Sequence, residues 1–303
     1  MSEMSLKYAP LTWALSRIYG AIHIVDGFIG LYETDVEDKN IIRAGSLKAK
    51  ILKLQDRLAV ELADIYVVDT EVRADRVRTE FGQRHIVYSL PVGSPSWAQP
   101  SEYKVQDGTP QVLYYGNYIP LHGLNDYVAA ISQIPPSQRP LTKMIGSGDC
   151  YDGILAMVNQ RGLSDFFSFH EAVPEYQLAA EIANAKVVLG IFGSSSKAAS
   201  VIANKVWQGL ACSRRVITRQ SRALDEISEL AGDLLIQVPA ADPTSLGTAI
   251  LIAVEADSSP AATGISQELE AYVLGKFDHF LLLVNQEIDA RTKSRVHPGA
   301  PIT

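Results

Sequence analysis

Short runs of apolar residues alternate along this chain with longer stretches in which apolar residues recur at helical spacing. About three such runs precede residue 94, and about six follow residue 110. Apolar runs of this length, separated by helix-length segments, predict parallel strands joined by helices, because a parallel pair of strands needs a long crossover connection. The alternation therefore places the chain in the α/β class, with helices covering parallel sheets.

A stretch rich in proline, serine and glycine, residues 94–110, divides the chain. We predict a first domain over residues 1–97, a linker over 98–110, a second domain over 111–270 and a helical tail over 271–303. Six strands suffice for a complete doubly wound sheet in the second domain. Three strands do not, so we expect the first domain to be minimal or to lack its own beginning.

Composition and charge narrow the class of partners. The net charge of -7 argues against broad nucleic-acid binding, although a local basic pocket for phosphate is compatible with it. The two cysteines, Cys150 and Cys212, lack the spacing of a metal site, so we expect no bound metal and no disulfide framework. The sequence shows no secretory signal and no apolar run long enough to span a bilayer, which predicts a cytoplasmic location.

Glycine and polar residues follow the predicted strands of the second domain. Parallel α/β sheets bind ligands beyond the carboxyl ends of their strands. The segments in that position here are residues 116–123, 146–148, 170–175 and 193–200. Three of these four segments begin with glycine, which lets the backbone approach a ligand closely and frees N–H groups for anions. We therefore predict a ligand site at this edge of the sheet.

Two lysines lie in or after the last of these loops, which has the sequence GSSSKAAS. Asn204 is a good N-cap, which would place Lys205 in the first turn of the following helix. A cation is disfavoured there by the helix dipole, so its presence indicates a bound anion near that helix end. The alternative is that Lys197 and Lys205 both point into water.

The familiar nucleotide and hydrolase motifs are incomplete or missing. GSSSKAAS lacks the glycine that precedes the lysine of a phosphate-binding P-loop. GSGDCY has only the first two glycines of the dinucleotide fingerprint and lies on the second strand of its domain, which is weak support for a nicotinamide-dependent oxidoreductase. The chain also contains no G-x-S-x-G elbow.

From about residue 111 to residue 255 the chain resembles the donor-binding domain of the group-1, or family-4, glycosyltransferases of the GT-B fold. YYGNYIPLHGLNDYVAA resembles the family's first strand with its glycine loop, and KMIGSG its second strand and turn. NKVWQGLACSRRVIT resembles the family's stretch K-x-x-E-x-(L/M)-A-x-G-x-P-V-I-T. Before the linker, LADIYVVDTEVRADRVRTEFG resembles the end of the acceptor domain.

This resemblance implies two Rossmann-like doubly wound domains, the N-terminal one incomplete, with the active site in the cleft between them. The C-terminal helices would pack back on the first domain. It implies a glycosyltransferase that moves a sugar from a nucleotide-sugar donor to a sugar or lipid-linked acceptor, with retention and without a metal or other cofactor. The nucleotide base would lie near the loop after FFSFHEA, and the diphosphate near the loop after VVLGIFG.

Carried over residue by residue, the resemblance and the loop analysis give one set of candidate donor-binding residues, and no residue is assigned as catalytic. In chain order they are Gly116, Asn117, His122, Gly123, Gly146, Gly148, His170, Glu171, Gly193, Lys197, Ser200, Asn204, Lys205 and Gln208.

Several of these residues depart from the family pattern. Asn117 stands where an arginine is common and His122 where a lysine is usual, so two fixed charges become a neutral amide and a titratable imidazole. We expect the two lysines of the later loop to replace them. Gln208 and Ser200 stand at or near the positions of the family's paired glutamates. An amide still hydrogen-bonds hydroxyl groups.

These departures leave a second hypothesis open, a non-catalytic or partner-dependent protein of the same fold that holds a nucleotide-sugar. The basic residues Lys48, Lys50, Lys53 and Arg57 on the first long helix also leave open a peripheral contact with an anionic membrane surface. An ordinary solvated face is the alternative.

Overall fold

A computed structural model describes residues 5–82, 85–100, 111–256 and 264–296, with side chains as far as residue 293. The chain divides into two compact units. Met1–Pro91 and Tyr272–Thr303 form the first, and Val92–Ala271 form the second. Residues 101–110 of the predicted linker lie outside the described residues.

The described residues form nine strands and ten α-helices that follow the predicted alternation. The strands are β1 (Ile24–Asp26), β2 (Ile65–Val68), β3 (Ile86–Ser89), β4 (Val112–Tyr115), β5 (Thr142–Ile145), β6 (Phe167–His170), β7 (Val187–Leu189), β8 (Arg215–Arg219) and β9 (Leu235–Val238). The helices are α1 (Ala9–Tyr19), α2 (Leu47–Leu62), α3 (Glu71–Phe81), α4 (Leu124–Gln133), α5 (Tyr151–Gln160), α6 (Glu175–Ala183), α7 (Asn204–Ala211), α8 (Asp225–Ala231), α9 (Pro243–Glu255) and α10 (Ile265–Val296).

The first unit is built on a sheet of three parallel strands in the order β1-β2-β3. Side-chain caps start its helices: the Ser46 hydroxyl accepts from Ala49 N before α2, and the Thr70 hydroxyl accepts from Arg73 N before α3. Apolar residues of β2 and α2, such as Val68 and Val60, form the core of this unit.

Within this unit the later part of α10 packs on β3 and α3. The Tyr88 hydroxyl donates to the backbone oxygen of Lys276 at 2.7 Å, and the Lys276 amine pairs with Glu71 at 2.8 Å. The sequence predicted one or two helices in this tail, and the structure shows one continuous helix.

The second unit contains a six-stranded parallel sheet in the order β6-β5-β4-β7-β8-β9. Counted within the unit this order is 3-2-1-4-5-6, the doubly wound arrangement of nucleotide-binding domains. The order reverses between β4 and β7, and ligands of doubly wound sheets bind at the carboxyl ends of the strands at such a point. The sequence-based prediction of an α/β protein with two parallel sheets, the first of them small, is confirmed.

A buried guanidinium fixes the far end of α7, the helix that follows the β7 loop. Arg214 donates to the backbone oxygens of Ile182 and Ala183 at the end of α6, and to those of Cys212 and Ser213 after α7. These are terminal carbonyls without helical partners, and a positive charge at helix carboxyl ends is favourable. Arg214 therefore holds α7 against α6 and fixes where its first turn lies.

Among the described residues, no helix combines the length and the apolar character needed to cross a bilayer.

Candidate functional site

The loops after β4 and β7 pack against each other at the point where the strand order reverses. Phe192 N donates to His122 O at 3.0 Å, and Gly193 N donates to Leu121 O at 3.1 Å. Gly123 has φ 58, and a Cβ atom placed on it would lie 2.5 Å from the Gly193 nitrogen. Glycine is thus required for backbone contact between the loops. The expectation that Gly193 offers its N–H to an anion is wrong, because Leu121 accepts that hydrogen bond.

The loops after β4 and β5 are joined in the same way. Tyr118 N donates to Ser147 O at 2.8 Å, and Cys150 N donates to Tyr118 O at 2.9 Å. A Cβ atom on Gly148 would lie 2.6 Å from Tyr118 N, and one on Gly146 would collide with the carbonyl oxygen of Gly116. Gly146 and Gly148 therefore allow two loops to pack closely. This packing explains why glycine stands at both positions, and no bound ligand is needed for the explanation.

Lys205 is the group at this edge with the most unusual environment. It lies in the first turn of α7, is only 5% exposed, and its Nζ lies 3.4 Å from His122 Nδ1 and 4.3 Å from the centre of the Tyr114 ring. A Cβ atom on Gly116 would lie 3.3 Å from Nζ, so glycine at that position leaves room for the amine. In the described part of the chain, no carboxylate lies within ion-pair distance of this amine.

Burial without a counter-ion lowers the pKa of Lys205 to about 7. The ring face of Tyr114 offsets part of the cost, since an aromatic face attracts a cation. It does not supply a negative charge, so the amine releases its proton much more readily than an ordinary lysine does. An anion placed beside Nζ would favour the protonated form.

His122 is held neutral beside this amine. The Tyr114 hydroxyl donates to Asn117 O at 2.7 Å and lies 2.7 Å from His122 Nδ1. Nδ1 of His122 therefore lies within hydrogen-bond distance of both the Tyr114 hydroxyl and the Lys205 amine. Burial, and then the charge of Lys205, lower the pKa of His122 to about 2. The expectation of a titratable imidazole here is wrong.

The start of α7 differs by one residue from the prediction. Asn204 is the first residue of the helix and Ala203 occupies the capping position, where no side chain caps the helix. Asn204 is therefore not the N-cap, whereas Lys205 does lie in the first turn as predicted. The first N–H groups of an α-helix have no helical partners and carry partial positive charge. The N-terminus of α7 thus carries partial positive charge from its free N–H groups, and the Lys205 amine lies in the same first turn.

The serine-rich loop after β7 is organised by its own hydrogen bonds. Ser195 Oγ accepts from Ala198 N at 3.2 Å, and Ser200 Oγ donates to Lys197 O at 3.1 Å. Lys197 is half-buried within these turns. On the following helix, Gln208 Oε1 accepts from the Tyr115 hydroxyl at 2.8 Å. The acceptor oxygen of Gln208 is therefore already engaged, while its amide N–H groups lie on a half-buried side chain.

The remaining candidates lie apart from this cluster or at its rim. His170 and Glu171 are exposed at the end of β6, and β5 separates β6 from β4. Asn117 is exposed in the loop after β4, where its carbonyl oxygen accepts from Tyr114. The structure thus brings together Gly116, His122 and Lys205, and it leaves the pair on β6 at the outer edge of the sheet.

Two residues of this edge were missed by the sequence analysis. Arg219 ends β8, and its guanidinium donates to Gly193 O at 2.6 Å, so a cation that supports the β7 loop comes from the neighbouring strand. Tyr118 is fully buried, and its hydroxyl has no hydrogen-bond partner among the described residues. Arg219 could have been found from the sequence, because an arginine visibly ends the predicted strand RRVITR. The buried tyrosine looks like any core aromatic residue in the sequence.

Comparison with known proteins supports the fold at low sequence identity. No protein-family profile and no curated protein matches the sequence. Sucrose-phosphate synthase from Thermosynechococcus elongatus superposes with a TM-score of 0.70 and 18% identity, over 92% of this chain and 72% of that one. Anabaena HepE, solved with UDP and glucose, superposes with a TM-score of 0.66 and 14% identity, over 95% of this chain and 76% of that one.

A third similar structure is the S. aureus protein TarM, solved as a mutant in complex with fondaparinux, alpha-GlcNAc-glycerol and UDP. It superposes with a TM-score of 0.64 and 12% identity, over 88% of this chain but only 51% of that one. This chain therefore spans about half the length of TarM. The three likenesses define a GT-B fold, as the resemblance in the sequence implied. Assignment to family 4 stays a prediction.

The environment of Lys205 predicts an unusual dependence of stability on pH. The unfolded chain keeps the lysine proton up to its ordinary pKa of 10.5, whereas the folded protein releases it at about 7. Between these values the unfolded state binds more protons, so the free energy of unfolding rises with pH, by up to about 1.4 kcal/mol per pH unit. Urea unfolding followed by tryptophan fluorescence at pH 7, 8 and 9 measures this slope.

Lys205→Met removes the titrating group, so this variant should lose that part of the slope. Lys143→Met is the matched control, because Lys143 pairs with Glu181 at 2.6 Å and lies outside the cluster. It should keep the slope of the original protein. Equal slopes for the original protein and Lys205→Met would contradict the buried, unpaired environment described above.

Proposed function

We propose that this chain transfers a sugar from a nucleotide-sugar to an acceptor, and that Lys205 binds the diphosphate of the donor. The observation that carries the proposal is a buried amine without a counter-ion, at the point where a doubly wound sheet reverses its strand order. Ligands of such sheets bind at that point, and anions bind at helix N-termini. The similar structures solved with UDP support the choice of ligand.

In this mechanism the positive end of α7 and the Lys205 amine stabilise the leaving group. As the bond between the sugar carbon and the phosphate oxygen breaks, negative charge develops on the diphosphate. A preorganised cation in a site shielded from water lowers the energy of that state more than a solvated one does. His122 and Tyr114 position the amine through the contacts at 3.4 and 4.3 Å. We assign Lys197 as the second cation of the diphosphate site.

The reaction itself and the nucleoside end of the donor can be assigned from the same arrangement of residues. The protein cations neutralise the diphosphate, so we propose transfer that needs no metal ion, with retention of the sugar configuration as the resemblance implies. We assign the exposed His170 and Glu171 to the nucleoside end of the donor. They lie at the end of β6, which is the edge strand on the β4 side of the sheet.

A second candidate function is binding of the donor without transfer. Gln208 and Ser200 stand where the resemblance places carboxylates, and both are engaged in hydrogen bonds of their own surroundings. A site that lacks those carboxylates still holds a diphosphate. Release of free sugar from the donor in the absence of acceptor distinguishes the two functions, because a protein that only binds the donor releases none.

The donor site is tested by calorimetric titration with UDP. Lys205→Met should weaken UDP binding by at least about tenfold, the effect of losing one charge-assisted hydrogen bond in a buried site. Lys197→Ala should weaken it in the same direction. Lys143→Met should bind UDP as the original protein does.

Uridine serves as the matched ligand, because it lacks the phosphates. Any affinity for uridine should be equal in the original protein and Lys205→Met. Equal UDP affinity in both would contradict the assignment of Lys205, and an absence of binding by UDP and other nucleoside diphosphates would overturn the donor site itself.

We further propose that the first unit contacts an anionic membrane and that the acceptor is lipid-linked. Leu47 is 76% exposed, and Ile51 and Leu54 continue an exposed apolar stripe on α2 at intervals of four and three residues. Lys48 and Lys50 are exposed beside this stripe. An apolar face flanked by lysines is typical of helices that lie on anionic lipid surfaces.

Co-sedimentation with vesicles tests this contact. The protein should sediment with phosphatidylglycerol vesicles and much less with phosphatidylcholine vesicles, and serine at positions 47, 51 and 54 together should abolish the binding. Ile252→Ser is the control, because Ile252 is an exposed apolar residue of α9 in the second unit. Sedimentation that these substitutions leave unchanged would rule out α2 as the contact.

A further inference from the structure

A cavity of about 150 Å³ lies within the first unit, between α2 and α3 and beneath the loop that follows β1. Its wall includes Gly27 and Gly30 of that loop, Asp56 of α2, Tyr66 of β2 and Phe81 at the end of α3. An apolar cavity of about 150 Å³ in another protein holds a benzene molecule. The space here is therefore large enough for one six-membered ring.

The charges around this cavity cancel. Its described lining residues include four carboxylates and four cationic side chains. Glu33 pairs with the buried Arg73 at 3.0 Å and with Arg76 at 3.2 Å. Arg73 also pairs with Asp69 at 2.9 Å, so two carboxylates and two guanidinium groups neutralise one another. A ligand with a large net charge of either sign would face repulsion from part of this wall. The cavity favours a neutral ligand that offers many hydrogen bonds.

The Tyr66 hydroxyl is a polar group of the cavity wall. Tyr66 is only 5% exposed, and burial and nearby charges, with no hydrogen bond from a described residue, set the environment of its hydroxyl. A Cβ atom on Gly27 would collide with the Tyr66 ring and hydroxyl, so glycine at that position makes room for them. The protein does not enclose this hydroxyl on all sides, because Tyr66 lines the cavity, so a molecule in the cavity can reach it. A bound ligand with hydroxyl groups would supply the missing hydrogen bond.

Asp56 offers acceptors on the same wall. Its two carboxylate oxygens accept from Leu31 N at 2.9 Å and from Tyr32 N at 2.8 Å. Each oxygen keeps one further lone pair for a ligand. Burial raises the pKa of Asp56 to about 6, which shows that the carboxylate is poorly compensated. Hydroxyl groups that donate to it would stabilise the charged form.

Part of the wall is apolar. Val60, Val68, Val77 and Phe81 line the cavity together with Tyr66. A pyranose ring has this same division, with hydroxyl groups around its rim and C–H groups on its faces. Ligand pockets commonly combine an apolar wall with a few placed polar groups.

We propose that this cavity binds a neutral pyranose, with Tyr66 and Asp56 on its hydroxyl groups and the valine and phenylalanine side chains against its C–H face. All of its wall belongs to the first unit, whereas the diphosphate site is built from the second unit alone. The chain thus carries a sugar site that does not depend on donor binding or transfer.

The test is an NMR titration of the ¹⁵N-labelled chain with neutral methyl pyranosides (glucoside, galactoside, mannoside and N-acetylglucosaminide). The amide signals of Leu31 and Tyr32, which donate to Asp56, should move on binding of at least one of them. Glucose 6-phosphate is the charged comparison and should bind more weakly than the neutral glucoside.

Tyr66→Phe is the decisive variant, because it removes only a hydroxyl that makes no hydrogen bond to the part of the chain that the structure describes. It should fold with an unchanged melting temperature and bind the sugar about three- to tenfold more weakly, the effect of one neutral hydrogen bond. Tyr176→Phe, at an exposed tyrosine of the second unit, should bind as the original protein does.

Three results would overturn the proposal: no movement of the two amides with any neutral pyranoside, tighter binding of the phosphate ester, or equal sugar affinity in Tyr66→Phe. None of these results bears on UDP binding, which involves Lys205. Failure of the sugar site and failure of the donor site are therefore distinguishable.

Discussion

The candidate site of the second unit depends on the burial of one amine, Lys205, at the point where the strand order of its sheet reverses. Removing a lysine from water without a counter-ion is unfavourable, and the lowered pKa of about 7 reflects this. The surrounding groups accommodate the amine without neutralising it: the Tyr114 ring attracts it, His122 stays neutral, and Gly116 leaves it space. The described surroundings of Lys205 thus contain no counter-ion for the amine. The diphosphate of a donor would act as that counter-ion.

The glycines of this edge serve a different purpose from the one that their motif suggests. Gly123, Gly146 and Gly148 allow three loops to pack backbone against backbone, and Gly193 uses its N–H on the neighbouring loop. Backbone hydrogen bonds thus join these loops without a ligand, and a preorganised site loses less free energy on binding. The anion-binding capacity of the site comes from Lys205 and the uncapped start of α7.

The alternation of apolar runs was sufficient to predict the strands, the helices and the class of fold, because that pattern is local. The environment of Lys205 was not predictable in the same way. Its burial depends on contact between the loops after β4 and β7, which lie about 70 residues apart in sequence but are adjacent in a doubly wound sheet. The same holds for His122, whose neutrality arises from Tyr114 and Lys205. The assignment of Asn204 as cap failed by one residue, a common uncertainty at helix ends.

Titration of the Lys205 amine tests the central claim most directly. Carbon-13 labelling of lysine Cε gives one NMR signal for each lysine, and the signal that Lys205→Met lacks identifies the residue. The account predicts a pKa of about 7 in the free protein, raised by about 1 to 3 pH units when UDP saturates the site, because a nearby opposite charge favours the protonated form. A pKa that stays the same with and without bound UDP would contradict the claim that this amine holds the diphosphate.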